Sequence, residues 1–152
     1  MFALSNETSL RVTAWFATGR PGQAAHLSGI EELFAYPLGI GVGLFSALSA
    51  LFHFLVASPW GCARYQQELE AERNRFRWVE YSLSASLMIV LIAGLTGITD
   101  VAALLSLFGL NAAMILFGWL METMNPKRPA TTWVPFSFSC VAGIIPWLAI
   151  AV

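Results

Sequence analysis

Charge is scarce in this chain of 152 residues. Asp, Glu, Lys and Arg together make up 11% of it, against about 25% in a soluble domain. Lysine occurs once, as Lys127, and cysteine twice, as Cys62 and Cys140. The two cysteines match no metal or redox spacing and read as free thiols. The net charge is -1 and the charged residues are clustered. A nucleic-acid partner would need a basic face, and none is visible. No nucleophile–base pair or metal-ligand set points to an enzyme. No secretory leader is visible either: the apolar Met1–Leu4 is short, and no basic segment precedes it.

Apolar residues are what the chain has in quantity. They make up 57% of it, with a mean hydropathy of +0.68. Crossing about 30 Å of hydrocarbon takes roughly 20 helical residues, and four segments are long enough. They are Pro37–Ala57, Trp78–Ile98, Val101–Met121 and Trp133–Val152. Gly39 and Gly43 have the spacing that lets one helix backbone approach another. Pro146 should kink the fourth span or free a carbonyl in it.

The connections constrain the topology. Gly97-Ile98-Thr99-Asp100 is a tight link. Gly97 can stop one helix, and Thr99 or Asp100 can cap the next. Spans two and three therefore form an antiparallel hairpin. Residues 58–77 form a polar connector, part of which should extend the second helix into water. Residues 122–132 form a Pro-broken basic loop. Residues 1–36, with Gly19, Pro21, Gly22 and Gly29, read as an exposed loop or hairpin. Six of the eight basic residues lie in 58–77 and 122–132, so these loops are expected to be cytoplasmic. The N-terminal segment is then extracellular. The chain ends at Val152 inside an apolar stretch, and Met1–Leu4 resembles the tail of an earlier span. Both ends read as cut from a larger bundle; a complete four-span protein is the other reading.

Glu80 stands out. From Val79 to Ile98 it is the only charged residue, and a carboxylate in a span needs a partner, a cavity or a function. Glu80, Ser84, Leu87, Met88 and Leu91 share one helical face. That face lines up a carboxylate, a hydroxyl and a thioether, and would suit a cation on an elongated apolar ligand. His53 lies on the first span at similar depth. Asn111 sits at the middle of the third. Plainer roles exist: an interfacial hydrogen bond for His53, helix glue for Asn111, and pairing with Arg77 for Glu80.

The strings LSALFHF (48–54), FRWVEYSLSASLMIVLIAGLTGITD (76–100), LLSLFGLNAAMILFGWLME (104–122) and CVAGIIPWLAI (140–150) resemble the heliorhodopsins. The resemblance covers roughly residues 36 to 152. Residues 1–35 match only as an extracellular segment after a first helix. The resemblance implies an all-α membrane protein, its four spans being helices two to five of a seven-helix rhodopsin-like bundle. It also implies a light-sensing photoreceptor, not an ion pump, with all-trans retinal bound to a lysine as a protonated Schiff base. Glu80 then matches the Schiff-base counterion. His53 matches a polar cavity beside it, and Ser84, Met88 and Asn111 match the retinal pocket. An inverted topology, a plasma-membrane location, a homodimer and an unidentified signalling partner are implied by the same resemblance. Lys127, the only lysine, lies in a Pro-flanked loop, so the attachment lysine is absent from this chain. The competing class is a small four-span structural or transport subunit without a chromophore.

Overall fold

The computed structural model describes residues 8–18, 26–125 and 130–152. Met1–Leu4, Gly19, Arg20, Pro21 and Gly22, and Lys127 with Arg128 lie outside the described residues. The fold is mostly helical. A β-hairpin, β1 (Ser9–Thr18) and β2 (His26–Pro37), leads into five helices. These are α1 (Leu38–Ala57), α2 (Pro59–Glu70), α3 (Arg75–Leu95), α4 (Val101–Met124) and α5 (Val134–Ala151). Four of them, α1, α3, α4 and α5, are long and apolar enough to cross a membrane. Large apolar side chains such as Leu44, Leu51, Leu105, Phe138 and Val141 point outward. That is the surface expected of helices whose backbone polar groups are satisfied internally while their side chains meet lipid.

The helices start and stop where local chemistry says they should. Ser58 accepts a hydrogen bond from the Gly61 amide at 3.1 Å and Pro59 occupies the first turn, so α2 begins directly after α1. Asn74 accepts from the Arg77 amide at 3.0 Å and starts α3. At the far end of α3, the Ile98 amide donates to the Ala93 carbonyl and the Gly97 amide to Gly94. This Schellman geometry needs a left-handed residue, and Gly97 supplies it at φ 99°. The Asp100 carboxylate then accepts from the Ala103 amide at 2.8 Å and opens α4. The tight link thus behaves as its sequence suggests. Part of the connector extends the second span's helix as expected, from Arg75 to Arg77, and most of the rest is the separate helix α2. Helix α5 continues through Pro146, whose missing amide leaves the Ala142 carbonyl without its usual partner.

The hairpin is more than an exposed loop. Its strands pair antiparallel, with a register shift between Val12 and Thr13 that leaves Leu33 unpaired. There the Thr13 amide donates to the Thr99 carbonyl at 2.8 Å, and the two threonine hydroxyls lie 3.0 Å apart. The strand therefore adds on to the α3–α4 turn. Val12 packs with Ala93, Leu104 and Leu107, and Leu10 lies against Gly94. Tyr36 packs against the same cluster, and burial pushes its phenol pKa up.

Helix α3 is central, packing against α1 on one side and α4 on the other, and α4 in turn packs on α5. Close approach to α3 comes at Gly41, and not at Gly43 of the expected pair. A Cβ on Gly41 would lie 2.5 Å from the Leu91 side chain, whereas one on Gly43 would meet nothing within 4 Å. Gly39 is buried, but Gly43 does not sit at the contact. Gly118 receives the Trp78 ring in the same way on the α4 side.

Candidate functional site

Glu80 lies little more than one turn into α3 and is buried, with 9% of its surface accessible. Ser49 of α1 donates its hydroxyl to Glu80 Oε1 at 2.7 Å. One turn later on α1, His53 Nδ1 donates to the Ser49 carbonyl at 2.8 Å and stands 3.8 Å from Glu80 Oε1. The His53 side chain itself is largely exposed. Glu80 and Arg77 form no ion pair among the described residues. The Arg77 guanidinium instead lies 4.6 Å from the centre of the Trp78 ring. The expected neighbourhood of Glu80 and His53 is therefore present, and the pairing with Arg77 is not.

Sequence reasoning does not single out Ser49, although a signal exists. It lies four residues before His53, and that spacing puts both on one face of α1. Glu122 also escapes a reading of the sequence. It accepts a hydrogen bond from Trp78 Nε1 and ties α4 to α3 two residues before Glu80.

Two recesses meet at this part of α3. The smaller, about 170 Å³, is polar and is lined by His53, Tyr65, Asn74, Arg77, Glu80 and Tyr81. The larger is an open groove of about 470 Å³. Tyr81, Ser84 and Met88 of α3 line it, with Asn111 and Met114 of α4 and Trp147 of α5. Tyr81 borders both recesses. The structure thus brings Ser84, Met88 and Asn111 to one groove and sets Glu80 with His53 next to it.

Asn111 does two things. Its amide donates to the Ser86 hydroxyl at 3.1 Å, a buried bond between α4 and α3, and the residue lines the groove. The bond to Ser86 is interhelical glue, and it leaves Asn111 on the groove wall. Ser82 donates to the Val79 carbonyl within α3, and Ser86 is taken up by Asn111. Of the three serines, only Ser84 lines the groove.

The arrangement has a definite chemical capacity. Aromatic and thioether walls favour a flat, elongated apolar molecule. A buried carboxylate next to that groove favours a positive charge at one end of such a molecule. A retinal bearing a cationic end fits the residues present on both counts. Among the described residues, no cluster of His, Cys, Asp and Glu could hold a metal ion.

A comparison with curated proteins finds no match. The sequence profile of the heliorhodopsins matches residues 1–152, so the similarity extends over the N-terminal hairpin as well as the four spans. Heliorhodopsins are retinal-binding, light-sensing membrane proteins, and the chain belongs to the heliorhodopsin family.

Proposed function

We propose that this chain supplies the counterion side of a retinal site in a light-sensing heliorhodopsin that does not pump ions. One observation carries the reading: a buried Glu80, hydrogen-bonded by Ser49, lines a polar recess that shares Tyr81 with the groove lined by Ser84, Met88 and Asn111. Bound retinal would supply light absorption and a cationic Schiff base. The Glu80 carboxylate balances that cation, and Ser49 holds the carboxylate in place. His53 keeps a polar, water-accessible cavity on the connector side of Glu80. Ser84 and Asn111 give the groove two polar points, while Tyr81, Met88, Met114 and Trp147 give it apolar walls. When the charge at the far side of Glu80 moves, the Ser49 bond and the α1–α3 contact are the first protein elements affected.

The non-pumping reading rests on the stretch of α3 beyond Glu80. From Tyr81 to Leu95 the helix has no further carboxylate, and Asp100 is engaged as the cap of α4. A proton path along this helix would therefore have no second acidic station. The attachment lysine is assigned to another helix of the full-length protein, because none of the four spans contains lysine. The connector and the 122–132 loop are assigned to the cytoplasm, and the hairpin to the outside. The full-length protein is assigned as a homodimer in the plasma membrane, acting on a signalling partner.

The test is spectroscopic. Full-length protein with added all-trans retinal should give a visible absorption band. Glu80→Gln should move that band to longer wavelength, because a weaker counterion lets positive charge spread along the polyene. It should also lower the fraction of visible-absorbing pigment at a fixed neutral pH, since the cation loses its partner. An unchanged band position and fraction would remove Glu80 from the counterion role.

A further inference from the structure

The outer side of α3, turned away from the groove, carries an exposed apolar stripe that joins two recesses into a trough, with cations at one end. Helices α1 and α4 both pack on α3 but scarcely meet each other, so part of α3 is left visible between them. Val79, Leu83, Leu87 and Val90 form a stripe at helical spacing there, so Leu87 lies away from the Ser84–Met88 groove and not on the face expected of it. Val79 and Leu83 are each more than a third exposed. Toward the hairpin, Leu87 and Val90 floor an almost wholly apolar recess of about 410 Å³, with Leu44 of α1 and Phe108 of α4 as walls. Toward the connector, Val79 floors a second recess of about 320 Å³, walled by Phe52 of α1 and Trp119 of α4. The mouth of this second recess is lined by Arg64, Glu68 and Arg75. Phe52 and Phe76 border it and also the Glu80 cavity, so they separate the two.

The charges at the mouth are unbalanced. Arg75 Nε lies 3.3 Å from Glu68 Oε2, and both side chains keep some exposure. That same Glu68 oxygen is buried without a well-formed hydrogen bond, so the pair is loosely made. Arg64 is exposed and has no ion-pair partner among the described residues. Two guanidinium groups against one carboxylate leave an excess of one positive charge above an uncharged trough. The stripe from Val79 to Val90 is about 17 Å long at 1.5 Å per residue. One leaflet of hydrocarbon is about 15 Å thick.

From this juxtaposition we infer that the trough binds one anionic phospholipid. Its phosphate sits at Arg64 and Arg75, and an acyl chain lies along Val79, Leu83, Leu87 and Val90. Charge selects the headgroup: guanidinium groups pair well with phosphate oxygens, and a net anionic lipid matches the single excess charge better than a zwitterion does. Apolar surface and length select the chain. A second copy of the protein is the competing occupant, and the excess positive charge at the mouth favours a lipid phosphate over an apolar helix face.

The experiment uses full-length protein in mild detergent, offered equal amounts of phosphatidylglycerol and phosphatidylcholine. Bound lipid is counted by native mass spectrometry. The wild type should retain one phosphatidylglycerol with about a tenfold preference, as expected for one or two arginines at a lipid headgroup. Arg64→Gln should cut the preference severalfold, and the Arg64→Gln/Arg75→Gln pair should abolish it. Leu83→Trp, which fills the trough, should lower retention with both arginines intact. Arg11→Gln, on the hairpin, should change nothing. Equal retention of the two lipids by the wild type, or an undiminished preference in Arg64→Gln, overturns the proposal. So does an efficient disulfide between two copies of a Leu83→Cys variant in membranes, which would put a second protein in the trough. If the double variant fails to fold, Arg64→Gln decides the matter alone, because no ion pair among the described residues depends on it.

Discussion

Ser49→Ala is the sharpest test of how Glu80 is held. The substitution removes one hydroxyl, whose oxygen lies 2.7 Å from Glu80 Oε1. Hydrogen bonds to charged groups contribute about 1.5–3 kcal/mol to stability in proteins generally. Interhelical bonds in membranes measure less, about 0.6 kcal/mol on average and about 1.7 at most. Glu80 is buried and the bond is short, which favours the upper part of the membrane range. The expected coupling between positions 49 and 80 is therefore about 1–2 kcal/mol. A double-mutant cycle of Ser49→Ala and Glu80→Ala, read by reversible unfolding of the full-length protein in mixed micelles, measures it. The pigment spectrum gives a second readout. Without Ser49 the carboxylate is free to interact more strongly with a cation on its other side, so the band should move to shorter wavelength, opposite to Glu80→Gln. Ser49→Thr keeps a hydroxyl and should stay close to wild type. A coupling below about 0.3 kcal/mol, within the additivity expected of independent sites, together with an unshifted band, would refute the idea that Ser49 positions Glu80.

Gly41→Ala should destabilise the protein by about 1–3 kcal/mol through overpacking against Leu91, while Gly43→Ala should be nearly neutral; thermal unfolding in detergent compares them. A cysteine introduced by Lys127→Cys should resist an impermeant thiol reagent in intact cells and react after lysis, as the cytoplasmic assignment of the basic loops requires. Ready labelling in intact cells would invert the topology. Mass measurement of the full-length protein in lipid nanodiscs should return a dimer; a monomer there and in mild detergent would count against the homodimer.

Much of this architecture is legible in the amino-acid sequence. Span positions come from apolar run length, and the α3–α4 turn comes from Gly97 and Asp100, whose chemistry is local. Glu80 is legible because a lone carboxylate in an apolar run is costly wherever the helix ends up. The features that stay hidden have a common cause, which is that they depend on how helices are placed. Gly43 and Gly41 differ only in which way the helix is rotated, and a motif spacing does not fix rotation. Ser49 looks like any small residue in a membrane helix until α3 lies beside it. Helix α2 is hidden because its polar sequence carries no hydrophobic period strong enough to separate it from a continuation of α3. The docking of β1 on Thr99 depends on backbone groups, which have no sequence signature.

That docking has a mechanical consequence. Strand β1 grips the α3–α4 turn through the Thr13 amide and hydroxyl, and Leu10 and Val12 wedge against the same end of α3. Among the described residues the opposite end of α3, where Glu80 sits, has no strand clamped on it; it leans on α1 through Ser49, on α4 through the Trp78–Glu122 bond and on α2 through Arg75–Glu68. Helix α3 is thus a rod held at one end and tethered by side chains at the other. From Thr99 to Glu80 the rod is roughly 28 Å long, so a tilt of about 5° would carry the carboxylate end about 2.5 Å. A disturbance beside Glu80 would therefore be expressed as a swing of the connector and α2, with the hairpin as the fixed pivot.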